Sequence, residues 1–155
     1  MTDTFDLQTL LDESADRNNP GVVEIKEIMG SVRTIAVVGI SRNPEKDARR
    51  VPSYLAARGF EIIPVNPFVD QILGKAAYDS LEEVQEPVDM VLVFRPSAEA
   101  AEVARAALGR TDRPVIWLQK EIRADEVAED ARRRGFLMVQ DLCAYEVHRA
   151  LHPQT

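Results

Sequence analysis

Five short runs of nearly continuous apolar residues constrain this chain more than any other feature. They are Thr34–Gly39 (TIAVVG), Glu61–Val65 (EIIPV), Met90–Phe94 (MVLVF), Val115–Leu118 (VIWL) and Phe136–Val139 (FLMV). A strand with one wet face alternates apolar and polar residues, whereas a run without alternation is buried on both faces, as in a parallel sheet. The segments between the runs carry helical spacing. Arg49–Arg58 follows the first run and stops at Gly59. Ser97–Leu108 follows the third, with Ser97 as expected N-cap and Gly109 as stop, and Ala124–Arg134 follows the fourth and stops at Gly135. Between the second and third runs only Ser80–Val84 reads as a helical turn or two.

Strand alternating with helix predicts an α/β fold: a Rossmann-like, doubly wound, parallel five-stranded sheet with right-handed crossovers. Two further helices, Thr4–Ala15 and Gly21–Met29, precede the first strand, and one at about Ala144–Leu151 closes the chain. The expected organisation is an N-terminal helical extension over residues 1–30 followed by a Rossmann-like domain over 31–155. A chain of 155 residues suffices for one such core.

Charge narrows the partners. The net charge is −7, which repels nucleic acid and anionic membrane. No apolar run approaches the roughly 20 residues of a membrane helix. With a single cysteine, Cys143, and no signal-peptide pattern, the expected compartment is the cytoplasm. An anionic ligand would require a local basic site, and the sequence has one where this fold binds ligands, outside the carboxyl ends of the strands. Gly39 ends the first strand; Ile40 and Ser41 open a polar loop; Arg42, Lys46, Arg49 and Arg50 put four cations into nine residues, against Glu45 and Asp47. Glycine permits a tight turn and close approach of a ligand, and amides at a helix N-terminus attract phosphate. The loop therefore reads as a phosphate cradle.

The nucleotide is narrowed by what is missing. A dinucleotide fingerprint would carry a second glycine where Ser41 stands and a carboxylate at the end of strand two, where the chain reads Pro64-Val65-Asn66-Pro67. NAD is therefore disfavoured, with NAD(P) and ADP left as alternatives. No G-K-[ST] loop exists to support ATP hydrolysis. Coenzyme A, with an extra phosphate near its adenosine, tolerates the missing carboxylate.

The segments VVGISRNP, Ile62–Pro67, ILGKAAYDSL, PVDMVLVFRP, VIWLQ and DLCAYEVH resemble, in order and spacing, the small CoA-binding-domain proteins. These are stand-alone relatives of the CoA-binding domain of the succinyl-CoA synthetase alpha subunit. The match runs from about residue 30 to 150. The resemblance implies a CoA site along the carboxyl edge of the sheet. Gly39, Ser41 and Arg42 would hold phosphates, and Asn66 and Pro67 would shape the adenosine side. Phe94, Arg95 and Pro96 would line the next loop, with Trp117 and Gln119 near the pantetheine arm. Members carry a Ser or Tyr after the basic stretch and a Gly two residues after the Gln of WLQ, where this chain has Ala48–Arg49 and Glu121.

Several residues have plainer readings. Trp117 lies inside an apolar run and reads as core. Arg95 serves equally as a phosphate ligand or as the partner of Glu99. Cys143 reads as a small buried apolar residue, with a mixed disulfide to the CoA thiol as the sharper alternative. His148 and His152 have i,i+4 metal-ligand spacing but no third ligand, and Asp141, Cys143 and His148 are close in sequence without implied geometry. The expected function is CoA or acyl-CoA binding without evident catalysis. The rivals are an NAD(P)-dependent or acyl-CoA-handling enzyme and a ligand-sensing interaction protein. Homo-oligomerisation through the N-terminal helices stays open.

Overall fold

The computed structural model describes residues 6–152; Thr4, Phe5 and Pro153, which bear on the ends of the first and last expected helices, lie outside them. The elements run α1 (Leu7–Glu13), α2 (Val22–Ser31), β1 (Thr34–Val38), α3 (Asp47–Ala57), β2 (Glu61–Val65), β3 (Gln71–Ile72), β4 (Lys75–Ala76), β5 (Met90–Val93), α4 (Ser97–Leu108), β6 (Val115–Leu118), α5 (Asp125–Arg133), β7 (Met138–Val139) and α6 (Ala144–Leu151), with a 3₁₀ turn at Leu81–Glu83 before β5.

Five strands pair in the order β2-β1-β5-β6-β7, all parallel. Each apolar run of the sequence thus supplies a strand, and both faces are covered. Ile35, Val37, Leu92 and Trp117 pack against Ile25, Ile28, Val51, Leu55 and Val147 of α2, α3 and α6. Ala36, Val38, Val91 and Ile116 pack against α4 and α5, whose inner faces are mostly alanine: Ala100, Ala104, Ala107, Ala128 and Ala131. Small residues let these helices lie close to the sheet. Because β1 is followed by a helix on one face and β5 by a helix on the other, the chain reverses its winding between these strands, and a crevice opens at their carboxyl ends. Val38 pairs with both Val65 and Val93, so the three strands end level there.

The N-terminal helices share the core of the sheet, Leu7 and Ile25 being buried in it. The segment after α1 is laced to the end of β7. Asn19 exchanges two hydrogen bonds with the Gln140 backbone (2.8 and 2.9 Å), and Asp16 receives Arg132 (2.8 Å) and the Gln140 amide (2.9 Å). Burial works against the Asp16 carboxylate, but the bonds from Arg132 and Gln140 outweigh it and hold its pKa below the ordinary value.

Some local features depart from the sequence reading. Ser97 opens α4 instead of capping it: Pro96 takes the cap position, and the Ser97 hydroxyl accepts the Arg123 amide (3.1 Å), drawing the loop after β6 towards α4. β7 has two residues, with Phe136 outside it. The β3–β4 hairpin was not expected; its turn, Leu73–Gly74, takes φ of 55° and 74°, the two positive values of a type I′ turn.

At the α3–α6 seam the Tyr54 hydroxyl meets His148 Nδ1 at 2.7 Å, and the His148 and His152 rings stack at 4.2 Å. Burial first, then the neighbouring His152 and Arg58, push the His148 pKa from 6.5 down to about 4. Between these values the unfolded chain takes up a proton that the folded chain refuses, so stability falls as pH drops from about 6.5 towards 4 and is unaffected by this group above 6.5. Urea denaturation at stepped pH is expected to show this acid limb, and a His148→Gln variant to show a shallower one.

Candidate functional site

Chain direction at the end of β1 sets the site. Gly39 has φ of 89°, and a Cβ there would stand 2.7 Å from the Phe94 carbonyl oxygen and 2.7 Å from Arg95 Cδ. Glycine is thus required both for the left-handed turn and for the approach of the Phe94–Arg95 backbone. Gly39 N–H donates to Val65 O (3.0 Å) and Phe94 N–H to Val38 O (2.9 Å), so the ladder extends past the strand ends and locks the three loops together.

The loop after Gly39 is held by an exchange that begins in α3. Pro52 lies inside this helix and has no N–H. The carbonyl four residues earlier, Ala48, therefore lacks its helical donor and accepts the Ser41 amide instead (3.1 Å). Ser41 Oγ accepts the Asn43 amide (3.0 Å), Asn43 Oδ1 accepts the Glu45 amide (2.9 Å), and Lys46 N–H donates to Asn43 O (3.1 Å). Four loop amides are thereby spent, three within the loop and one on α3. The Ser41 hydroxyl proton stays available, as do the amides of Asp47 and Ala48, which open α3 and have no intrahelical acceptor. Of the four cations, Arg50 is paired with Asp47 (2.7 Å). Arg42 and Lys46 are exposed and have no ion-pair partner among the described residues. Arg49 is half-buried, with its Nε lacking a hydrogen-bond partner.

Asn66 laces the second loop to the first. Its Nδ2 donates to Ile40 O (2.7 Å), its Oδ1 accepts the Phe68 amide (2.7 Å), and its own amide donates to Tyr78 O (2.8 Å). Its side chain fixes the rim and is committed on both atoms. Beside it lies a cleft of about 430 Å³, bounded by the ends of β1 and β2, the 3₁₀ turn and the outer face of α4. Gly39, Asn66, Pro67 and Arg95 meet here. Arg95 is ion-paired with Glu99, its Nε at 3.0 Å. Phe94 is half-buried against the core, and Pro96 precedes α4.

Two residues of the sequence reading are placed inside the molecule. Trp117 is fully buried, its Nε1 donating to Leu142 O (2.9 Å), and Gln119 is buried with its Oε1 accepting the Ala144 amide (3.2 Å). Both anchor α6 and its approach to the sheet. Cys143 is buried as well, and burial pushes its thiol above the ordinary value. Asp141, Cys143 and His148 form no relay: Asp141 accepts the amides of Glu121 (2.6 Å) and Ala15 (2.7 Å), while His148 bonds Tyr54. Among the described residues no group of three or more metal-ligating side chains exists, and no helix is long and apolar enough to cross a membrane.

The sequence reading passed over Phe68 and the α4 wall of the cleft. An isolated aromatic in the polar segment Asn66-Pro67-Phe68-Val69-Asp70 was a readable signal.

Residues 33–149 match the family described as CoA binding domain. The uncharacterized protein YneT of Bacillus subtilis is 40% identical over 130 residues, covering 84% of this chain and 96% of that one. An ADP-forming acetate–CoA ligase II of Archaeoglobus fulgidus is 34% identical over 73 residues, 46% of this chain and 11% of the ligase. A solved structure from Thermus thermophilus, cell-free ID.343, superposes with a TM-score of 0.78 at 34% identity, covering 85% of this chain and 99% of that one.

Two backbone positions yield predictions of opposite sign. Gly39→Ala is expected to cost at least about 2 kcal/mol, from the left-handed turn and from overlap with a backbone carbonyl that cannot yield. Glu121, exposed and at φ of 72°, occupies a left-handed position, so Glu121→Gly is expected to raise stability by about 1 kcal/mol. Urea denaturation midpoints check both.

Proposed function

The chain belongs to the CoA binding domain family, and from that premise we propose that it binds coenzyme A across the carboxyl ends of β1, β2 and β5, with the diphosphate over the loop after Gly39. Arg42 and Lys46 carry this reading: they are two exposed, unpaired cations beside a glycine turn, in a chain of net charge −7. The Ser41 hydroxyl and the first amides of α3 add hydrogen-bond donors, and the helix dipole favours negative charge at that point. Arg49 adds a third positive group, whereas Arg50 is committed to Asp47. Arg95 is held by an exposed ion pair, a weak one of under about 1 kcal/mol, and exchanges Glu99 for a phosphate when one arrives.

On this reading the protein is a binding module, with Asn66 and Pro67 shaping the adenosine side. The ladder and Asn66 hold the loops in place before the ligand arrives. NAD is less suited, because no carboxylate follows β2 to hold its ribose hydroxyls. ADP shares the diphosphate and serves as the comparison ligand.

A thermal-shift panel of CoA, acetyl-CoA, NAD, NADP, ATP and ADP tests the reading. A ligand at 100 times its Kd stabilises the folded state by about 2.7 kcal/mol, and CoA is expected to give the largest shift. Arg42→Ala is expected to weaken CoA binding by about 1–3 kcal/mol in calorimetry, the range of a charge-assisted phosphate contact. Equal affinity for variant and parent removes Arg42 from the site.

A further inference from the structure

Pro52 lies inside α3 with its side chain buried, as are those of Val51 and Leu55. Proline is costly in that place: it has no N–H to donate, and its ring crowds the carbonyl four residues earlier. That carbonyl, Ala48 O, accepts the Ser41 amide at 3.1 Å. The bond joins the start of the cation loop to the first turn of the helix at its other end. Ile40, just before, is fully buried, and its carbonyl accepts Asn66 Nδ2 at 2.7 Å. The bonds within the loop, from the amides of Asn43, Glu45 and Lys46, are short-range and shape turns only. Ser41 to Ala48 is the bond that crosses from the first half of the loop to α3. It fixes the backbone on which the Ser41 hydroxyl and the neighbouring Arg42 side chain stand.

An alanine at position 52 would give α3 its missing donor. That N–H is held close to Ala48 O by the helix itself, whereas the Ser41 N–H has to be brought there by the loop. The helix wins such a competition, and the loop is released. Stability and binding then move in opposite directions. Proline inside a helix destabilises it relative to alanine, while a loop ordered in advance loses less entropy when a ligand arrives. A residue that served stability alone would move both in one direction.

We propose that Pro52 is a positioning residue for anion binding: by withholding a donor from Ala48, it reserves that carbonyl for Ser41 and keeps the cation loop ordered before a diphosphate arrives. The proposal rests on the diphosphate reading of the loop given above and adds what holds the loop ready. Pro52 itself is buried and acts only through Ala48 and Ser41.

The test compares the parent with Pro52→Ala, with Pro52→Val, which keeps most of the buried volume, and with a form carrying lactic acid at position 52. Lactic acid is the hydroxy-acid counterpart of alanine and, like proline, has no N–H. Each is measured by calorimetry with CoA and with inorganic pyrophosphate, by urea denaturation, and by hydrogen exchange of the Ser41 amide. Pro52→Ala and Pro52→Val are expected to lose protection at Ser41 and to unfold at a urea concentration no lower than the parent. Both are expected to bind CoA about tenfold more weakly, through a less favourable entropy, the cost of fixing about one backbone residue. The lactic acid form is expected to restore protection and affinity. If Pro52→Ala and Pro52→Val bind like the parent, or keep Ser41 protected, the role of Pro52 is overturned and the CoA reading stands. Affinity and stability falling together, or a lactic acid form that binds as weakly as Pro52→Ala, overturns it too. If the parent ignores CoA but binds pyrophosphate with the same loss in the variants, the CoA reading falls and the role of Pro52 stands. Binding of neither ligand overturns both.

Discussion

The structure turns on the close approach of Gly39 to the Phe94–Arg95 backbone. At this point the chain leaves β1 while still bonded to both neighbouring strands, through Gly39 N–H to Val65 O and Val38 O to Phe94 N–H. No side chain fits between. Three loops are thereby brought to one point, and the crevice required by the reversal of winding falls between α3 on one face and α4 on the other. The link from β2 to β5 supplies only a 3₁₀ turn and a small hairpin instead of a full helix. The sheet end beside β2 is therefore left open, and that opening is the cleft.

A missing hydrogen bond shapes the cation loop. Proline inside a helix costs a backbone bond. Here the carbonyl that Pro52 leaves free is the one that fastens Ser41. The loop therefore has its path fixed by α3 itself, with Asn43 and Ser41 closing smaller turns inside it. A loop already ordered loses little entropy on meeting a ligand. Only the long side chains of Arg42 and Lys46 have freedom left to lose, and their exposure is what keeps them available.

The sequence displayed the sheet clearly, because continuous apolar runs admit few alternatives and α3, α4 and α5 each end within two residues of a glycine, Gly59, Gly109 and Gly135. The β3–β4 hairpin was illegible: each strand has two residues, with only Ile72 buried among the four, so there is no alternation to read. The charges of the candidate site were legible and the bonds that hold its loops were less so. Arg42 and Lys46 stand out as charges in a loop. Asn66 follows a strand, which marks it as a ligand contact, but that its side chain also bonds Ile40, 26 residues away, and Phe68 is a partnership that no local pattern encodes. The partner of Gln119, Ala144, is likewise 25 residues away and leaves no local trace in the sequence. Glu121 shows the converse. Its positive φ is a conformation that favours glycine, and this chain holds it with Asp141 accepting the Glu121 amide at 2.6 Å.

Net charge conceals how the charges are arranged. A value of −7 describes a molecule that repels anions at long range. Around the candidate site, however, Arg42 and Lys46 lie on the α3 side of Gly39 and Asp79 and Glu82 lie beside the 3₁₀ turn, none of the four with an ion-pair partner among the described residues. The cations that do border the cleft are neutralised locally, Arg95 by Glu99 and Arg105 by Glu102. Within a few ångströms Coulomb interactions outweigh the screened field of the whole molecule. A charged group reaching this end of the sheet would therefore meet the local arrangement around Gly39 ahead of the acidity of the whole surface.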